Sequence, residues 1–279
     1  MKTQQNTTLV LGGTGKTGRR VVQRLQASGH PLRVGSRSGN PPFDWENPQT
    51  WGPALANVDS VYMTYYPDLA IPGAVDTVQA FTQQAIANGA RRLVLLSGRG
   101  EEEAQRAEQV LQESGAEWTI LRCSWFAQNF SENYLVESVR NGEVILPAGD
   151  VGEPFVDAED IAEVAVAALT EDGHAGQLYE LTGPRLLTFA EAVEEIARAV
   201  GRKIRFELVS PQEYVSALAG QGLPDEFVWL LKYLFITVLD GRNAYLSDGV
   251  QRALGRRPRD FNDYAHEAAA SGIWDGAGR

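Results

Sequence analysis

Leu9-Val-Leu-Gly-Gly-Thr-Gly-Lys-Thr-Gly18 decides the reading of this chain. A short apolar strand runs into glycines at 12, 15 and 18, spaced G-x-x-G-x-x-G. An amphipathic helix follows, with Val21, Val22 and Leu25 on one face. A backbone without Cβ turns tightly there and lets a pyrophosphate approach, and the amides and dipole at the helix N-terminus attract its charge. The segment predicts a dinucleotide held over Gly12, Gly15 and Gly18. The plain alternative is a glycine-rich turn with no ligand; the strand before, the helix after and a second strand at the right distance argue against it. About twenty residues on, such folds often carry Asp or Glu for the ribose 2′-hydroxyl. Here Ser36-Arg37-Ser38 stands instead. A guanidinium flanked by hydroxyls suits a 2′-phosphate, so the expected cofactor is NADP(H). An ordinary solvated arginine is the alternative for Arg37.

The 279 residues suit one large α/β domain, or a domain with a subdomain. Hydrophobic content of 43% and charged content of 22% are those of a globular protein. A net charge of −11 argues against nucleic acid or an anionic membrane as partner and leaves a small molecule. Cys123 is the only cysteine, which excludes an intramolecular disulfide and fits a reducing compartment. No segment reads as a signal peptide or a membrane span, so a cytoplasmic location is expected. His30, His174 and His266 share no ligand spacing, and no metal is expected. The oligomeric state stays open, a homodimer among the options.

Strands and helices alternate. Strands are expected at Thr7–Leu11, Leu32–Ser36, Phe43–Trp45, Asp59–Tyr65, Arg92–Ser97, Trp118–Leu121 and Gln177–Leu181. Helices are expected at Gly15–Ser28, Gln49–Ala56, Pro72–Asn88, Glu101–Ser114 and Ile161–Thr170. This order predicts a doubly wound parallel sheet, the Rossmann fold. After Gly183-Pro184 the pattern changes. Thr188 and Glu191 form a capping box for a helix through Val200. A strand at Ile204–Val209 and mostly helical segments follow. The expected division is a dinucleotide-binding domain over 1–182 and a smaller substrate-covering subdomain over 183–279.

Several blocks read together: Leu11-Gly-Gly-Thr-Gly-Lys-Thr-Gly18, Val34-Gly-Ser-Arg-Ser38, Arg92-Leu-Val-Leu-Leu-Ser97, Ser114-Gly-Ala-Glu-Trp-Thr-Ile-Leu-Arg122, Trp125-Phe-Ala-Gln-Asn129 and Phe155-Val-Asp-Ala-Glu-Asp-Ile161. In these the chain resembles the NmrA-like branch of the atypical short-chain dehydrogenases/reductases. Gly35-Ser-Arg-Ser38, Phe43-Asp-Trp45 and Thr50-Trp-Gly52 are most similar to its ergot-alkaloid iminium reductases, the festuclavine and agroclavine dehydrogenases. The resemblance implies that Thr14, Gly15, Lys16 and Thr17 surround the pyrophosphate. It implies Asp44 and Trp45 near adenine, and Thr64, Tyr65 and Tyr66 along the adenosine ribose and the cofactor bridge. It places Ser97, Gly98 and Arg99 at the end of one strand. Cys123, Ser124, Trp125, Phe126 and Asn129, at the end of the next, would face the nicotinamide. Cys123 stands where relatives usually have proline; a small buried apolar residue is its bland reading.

Classical members of that superfamily use Tyr-x-x-x-Lys as proton donor. None of the nine tyrosines here has lysine four positions later, and the lysines are only Lys2, Lys16, Lys203 and Lys232. Two readings survive. An enzyme could reduce a substrate that needs little proton help, such as an iminium ion, with Tyr65, Trp125 and Phe126 positioning it over the nicotinamide. Alternatively, the chain binds NADP(H) without turnover and reports redox state to a partner. Phe155 and the aromatics of 227–235 are further pocket candidates, for which helix packing is the alternative. Asp157 and Asp160 read as helix caps, with a proton-relay role for Asp157 as the other option. Glu101-Glu-Glu103 reads as charge complementing a helix dipole.

Overall fold

Residues 7–220 and 222–275 are described in the computed structural model of the chain. β1 (Thr7–Leu11), α1 (Lys16–Ala27) and β2 (Leu32–Gly35) open it. A 3-10 turn at Pro48–Thr50 leads into α2 (Trp51–Leu55). β3 (Val58–Met63), α3 (Ala74–Ala87), β4 (Arg92–Gly98), α4 (Glu102–Gln112) and β5 (Glu117–Cys123) complete the alternation. After a 3-10 turn at Ala127–Phe130 come α5 (Val136–Asn141), β6 (Glu143–Leu146), α6 (Ala158–Thr170) and β7 (Gln177–Leu181). α7 (Phe189–Val200), β8 (Arg205–Leu208), α8 (Pro211–Ala219) and α9 (Asp225–Lys232) follow. A π-helical segment Tyr233–Val238, α10 (Gly249–Leu254) and α11 (Phe261–Ala270) end the described chain.

The chain divides into two compact units that interleave in sequence. The first holds residues up to Cys123, Ala158–Leu181 and Asp248–Arg256; the second holds Ser124–Asp157, Thr182–Ser247 and the residues from Arg257. The single cut expected at 182/183 is therefore replaced by several crossings. The reason is local. Residues 124–157 pack their apolar side chains, among them Phe130, Val139, Val144 and Phe155, with Phe189, Phe235 and Phe261 of the later chain.

In the first unit six parallel strands run in the order β2-β1-β3-β4-β5-β7. Val10 lies opposite Val34 on one side and Tyr62 on the other. Leu9, Val10 and Leu11 are wholly buried, as in a strand covered on both faces. α1 packs beside α6, and α3 beside α4. The first pair is also tied by charge: Arg20 donates to Glu159 at 2.6 Å, and Arg24 to Glu159 at 2.5 Å and Glu163 at 3.3 Å. Asp160, fully buried in the first turn of α6, accepts from Arg256 at 2.7 Å. It neutralises a guanidinium there. Helix α10 lies on β7 so closely that a Cβ on Gly249 would stand 2.0 Å from the Glu180 carbonyl oxygen. From the same helix Arg252 donates to the Leu178 carbonyl at 3.3 Å and to Gln177 at 2.9 Å.

One expected strand is absent. Phe43-Asp-Trp45 does not run beside β2. The Phe43 amide bonds to the Ser36 carbonyl at 2.8 Å, while the Trp45 indole donates to the Thr64 carbonyl at 3.0 Å. The segment thus crosses the carboxyl ends of the strands from β2 towards β3. Packing Phe43 and Trp45 against Phe81, with the Trp45 indole tied to Thr64, fixes the crossing in place of a strand pairing.

The second unit holds a two-stranded parallel sheet, Glu143 opposite Arg205 through Leu146 opposite Leu208. The Thr188–Glu191 capping box opens α7 as expected. Arg185 joins Glu195 at 2.7 Å to Asp260 at 2.6 Å, tying the middle of α7 to the N-cap of α11. The Trp274 indole donates to the Phe130 carbonyl at 2.8 Å.

Candidate functional site

In an open α/β sheet, ligands bind beyond the carboxyl ends of the strands, at the point where strand order reverses. Here that point lies between β1 and β3. Gly12 leaves β1 with φ +61°, a conformation that favours glycine, and its amide partner across the turn is Gly15, whose N–H meets the Gly12 carbonyl at 2.8 Å. A Cβ on Gly18 would stand 2.2 Å from the Gly12 carbonyl oxygen, so the third glycine lets the helix close on the turn. Gly12, Thr14 and Gly15 are exposed, whereas Thr17 is buried at the helix start. Gly15 occupies the N-cap of α1, with no side chain capping the helix and no acidic residue in its first turn. Terminal amides left uncovered, beside Lys16, form a cradle for an anion. The residues present therefore fit the pyrophosphate of a dinucleotide.

At the end of β2, Ser36 accepts the amides of Gly39 and Phe43, which shapes a tight loop. Arg37 and Ser38 stand exposed on it. Among the described residues Arg37 has no carboxylate partner, so its guanidinium is available to a phosphate. The Asp44 carbonyl accepts from the Trp51 indole at 2.8 Å, and Asp44 Oδ1 from the Glu46 amide at 3.1 Å. Trp45 packs on Tyr65 with ring centroids 5.0 Å apart, and on Phe81 at the same separation. Thr64 donates to the Leu11 carbonyl at 3.1 Å, locking the ends of β3 and β1 together. Tyr65 is partly exposed beside this cluster, and Tyr66 is 72% exposed.

At the end of β4 the side chains turn inward. Ser97 donates to Glu108 at 2.6 Å. Arg122 also donates to Glu108, and to Glu180 at 3.1 Å, and Arg99 pairs with Glu180 at 3.6 Å. Ser97 and Arg99 are both buried. Cys123, opposite Gly98 in the ladder, is buried too, and burial pushes its thiol well above the usual range. A thiol held neutral in this way is no nucleophile.

Beside this network lies a group of residues that motif reasoning passed over. The Glu101 carboxyl folds back over Gly98, where a Cβ would stand 2.1 Å from Glu101 Oε1. Glu101 is 7% exposed. It comes within hydrogen-bonding reach of the carboxyl of Asp68, in the segment between β3 and α3, whose Oδ1 accepts the Ala70 amide at 2.9 Å. Burial raises both groups above the usual carboxylate range; the neighbouring Asp68 and Glu108 charges push Glu101 further, and Lys16 opposes the shift at Asp68. Nothing in the local spacing announces the pair, because its members sit on separate loops. Glu101 was expected to complement the α4 dipole, a role left to Glu102 and Glu103 in the first turn.

In the second unit, Trp125 packs edge-on to Phe189 at 5.2 Å and against Phe235 at 4.8 Å, keeping part of its ring exposed. Phe126, also partly exposed, sits in a bridge with Val156. Ser124 is buried and donates to the Pro154 carbonyl at 2.5 Å, while the Asn129 amide closes the turn onto the Phe126 carbonyl at 3.0 Å. Asp157 accepts from Gln128 at 2.8 Å. Phe155 and Phe235 are core residues rather than pocket wall, 3% and 2% exposed. Of the 227–235 aromatics, Trp229 and Tyr233 stack on each other at 5.3 Å.

A family model described as NAD(P)H-binding matches residues 42–172. The chain is 32% identical to festuclavine synthase II of Penicillium roqueforti over 94% of its own length and 98% of that protein's. It is 30% identical to an NAD(P)H azoreductase of Xenophilus azovorans, again over 94% and 98%. Among solved structures, an NADPH-dependent quinone oxidoreductase of Escherichia coli superposes with a TM-score of 0.79 at 20% identity, covering 93% of this chain and 99% of that one, which supports the fold. The glycine turn, the strand order and these relatives converge: the chain belongs to the NmrA-like branch of the atypical short-chain dehydrogenases/reductases and is an NAD(P)H-dependent oxidoreductase.

Proposed function

We propose that this enzyme prefers NADPH and reduces a small molecule bearing an iminium or similarly activated double bond, without a tyrosine acid. The observation that carries the reading is the coexistence of an intact glycine cradle with the absence of any Tyr-x-x-x-Lys pair. Gly12, Thr14, Gly15, Lys16 and Thr17 would hold the pyrophosphate. Ser36, Arg37 and Ser38 would bind the 2′-phosphate, with Asp44 and Trp45 along the adenosine. Thr64 and Tyr66 border the strand ends beside them. The bound dihydronicotinamide would supply a hydride. An iminium carbon is already cationic and its reduction develops no oxyanion, so the protein need only orient the acceptor and exclude water. Tyr65, held by Trp45, is assigned to that orientation. The name of the azoreductase relative supports an N=N acceptor, and that of the festuclavine synthase an alkaloid product.

The test is a panel of cyclic iminium salts, quinones, azo compounds and enones, followed by loss of NADPH absorbance. Turnover of at least one class, with NADPH favoured over NADH, is expected. NADPH binding without turnover of any class replaces this reading with the redox-sensor one.

A further inference from the structure

The Asp68–Glu101 pair lies at the carboxyl edge of the sheet, on the segments that follow β3 and β4. Two carboxyl groups can hydrogen-bond to each other only when one of them carries a proton. Glu101 is the inner member, more than nine-tenths buried, and its Oε2 has no hydrogen-bond partner. Asp68 is the outer, partly exposed member. The groups around them are the charged Lys16 from α1, Glu108 from α4 and Arg99 after β4, and the neutral Cys123 thiol at the end of β5. If α1 holds the pyrophosphate and the β2 loop the adenosine phosphate, the reactive half of the cofactor extends the other way, over β3 and β4. A buried acid with an unpartnered oxygen is thus placed on the side of the sheet where a proton is needed.

We propose that Asp68 and Glu101 share one proton and form the acid that replaces the missing tyrosine, so that the enzyme also reduces neutral acceptors such as quinones and azo compounds. The proposal rests on the reductase reading above. A neutral acceptor needs both a hydride and a proton. Hydride adds to one atom of the double bond, the π electrons move to the far oxygen or nitrogen, and that atom takes the proton from the Asp68 end of the pair. Glu101 hydrogen-bonds the carboxylate left on Asp68, and water returns a proton to the pair. The sum consumes one acceptor, one NADPH and one proton.

The experiment compares wild type with Glu101→Gln and Asp68→Asn, two near-isosteric changes. Side-chain carboxyl carbon NMR of the protein alone should show the Asp68–Glu101 pair holding one proton at neutral pH in wild type, a shared titration that Glu101→Gln should abolish. Turnover of a quinone should fall by about 100-fold in both variants, the scale of a lost general acid. That loss should exceed the loss on an iminium salt at least tenfold, with the wild-type quinone rate declining as pH rises through the titration of the pair. Two ionised carboxyls at neutral pH overturn the proposal, as do equal losses on both acceptors or a rate loss matched by lost NADPH binding. A wild type that reduces no acceptor overturns the reductase reading, and the acid with it; a wild type that reduces both while the variants keep their quinone rates overturns the acid alone.

Discussion

The turn after β1 and the turn after β4 share one edge of the sheet, and each feeds a helix. The first presents exposed glycines and Lys16, with no acid in the first turn of α1. The second places Glu101 over Gly98 and Glu102 and Glu103 in the first turn of α4. Both helices start with uncapped amides and the same positive dipole. In α1 that field is left for an external anion; in α4 it is met by the protein's own carboxylates. The lesson is that a βα turn becomes a ligand site through what it omits. Once its own acids occupy the helix end, the turn is free to serve another purpose, here holding a buried acid.

The sharpest way to break this contrast is to fill the first turn. Gly15→Val should weaken NADPH binding at least about 100-fold, some 2.7 kcal/mol, because the side chain occupies the space an anion needs. Circular dichroism should stay native; retained affinity in a cofactor titration removes the β1 turn from the site. Arg37→Ala should cost roughly 1.5–3 kcal/mol with NADPH and almost nothing with NADH, the scale of hydrogen bonds to a charged group. Equal losses by calorimetry would detach the β2 loop from the 2′-phosphate.

The acidic turn can be probed through stability. Asp68 and Glu101 have raised affinities for protons in the folded state, so between the ordinary carboxylate range and their raised values the native protein binds more protons than the unfolded chain. Stability from the pair is present at acid pH and is lost as pH rises through that window. Glu101→Gln should flatten that decline. An unchanged slope in thermal melts would show that the two carboxyls titrate independently. The smallest effect belongs to Tyr65→Phe, expected to slow turnover less than about tenfold, since a true general acid contributes ~10²–10⁴-fold. A hundredfold loss would move the proton source from the β4 turn to the tyrosine.

The alternation of elements and the glycine cradle were legible because both are local. Periodic apolar residues and a fixed glycine spacing constrain neighbours in sequence. What stayed hidden is non-local. Strand β6 is four residues long, and its partner β8 comes only after α6, β7 and α7 have intervened. The crossing of Phe43-Asp-Trp45 depends on Phe81 and Thr64, which no window around residue 44 contains. Ser97 and Arg99 end a strand at the expected edge, yet Glu108 and Glu180 draw their side chains inward. Asp68 and Glu101 carry no motif at all. Their meaning arises when two loops place two carboxyls within hydrogen-bonding reach.

The last strand of the sheet has a consequence for how the molecule keeps to itself. An edge strand offers a row of unpaired backbone groups, a template on which another chain can add a strand. On β7 that template is obstructed: Gly249 brings α10 hard against the backbone of Glu180, and Arg252 takes up the Leu178 carbonyl. A bulkier residue at 249 would lift the helix away and expose the row. Glycine at this position therefore works as protection against sheet-to-sheet aggregation, a duty unrelated to cofactor or catalysis.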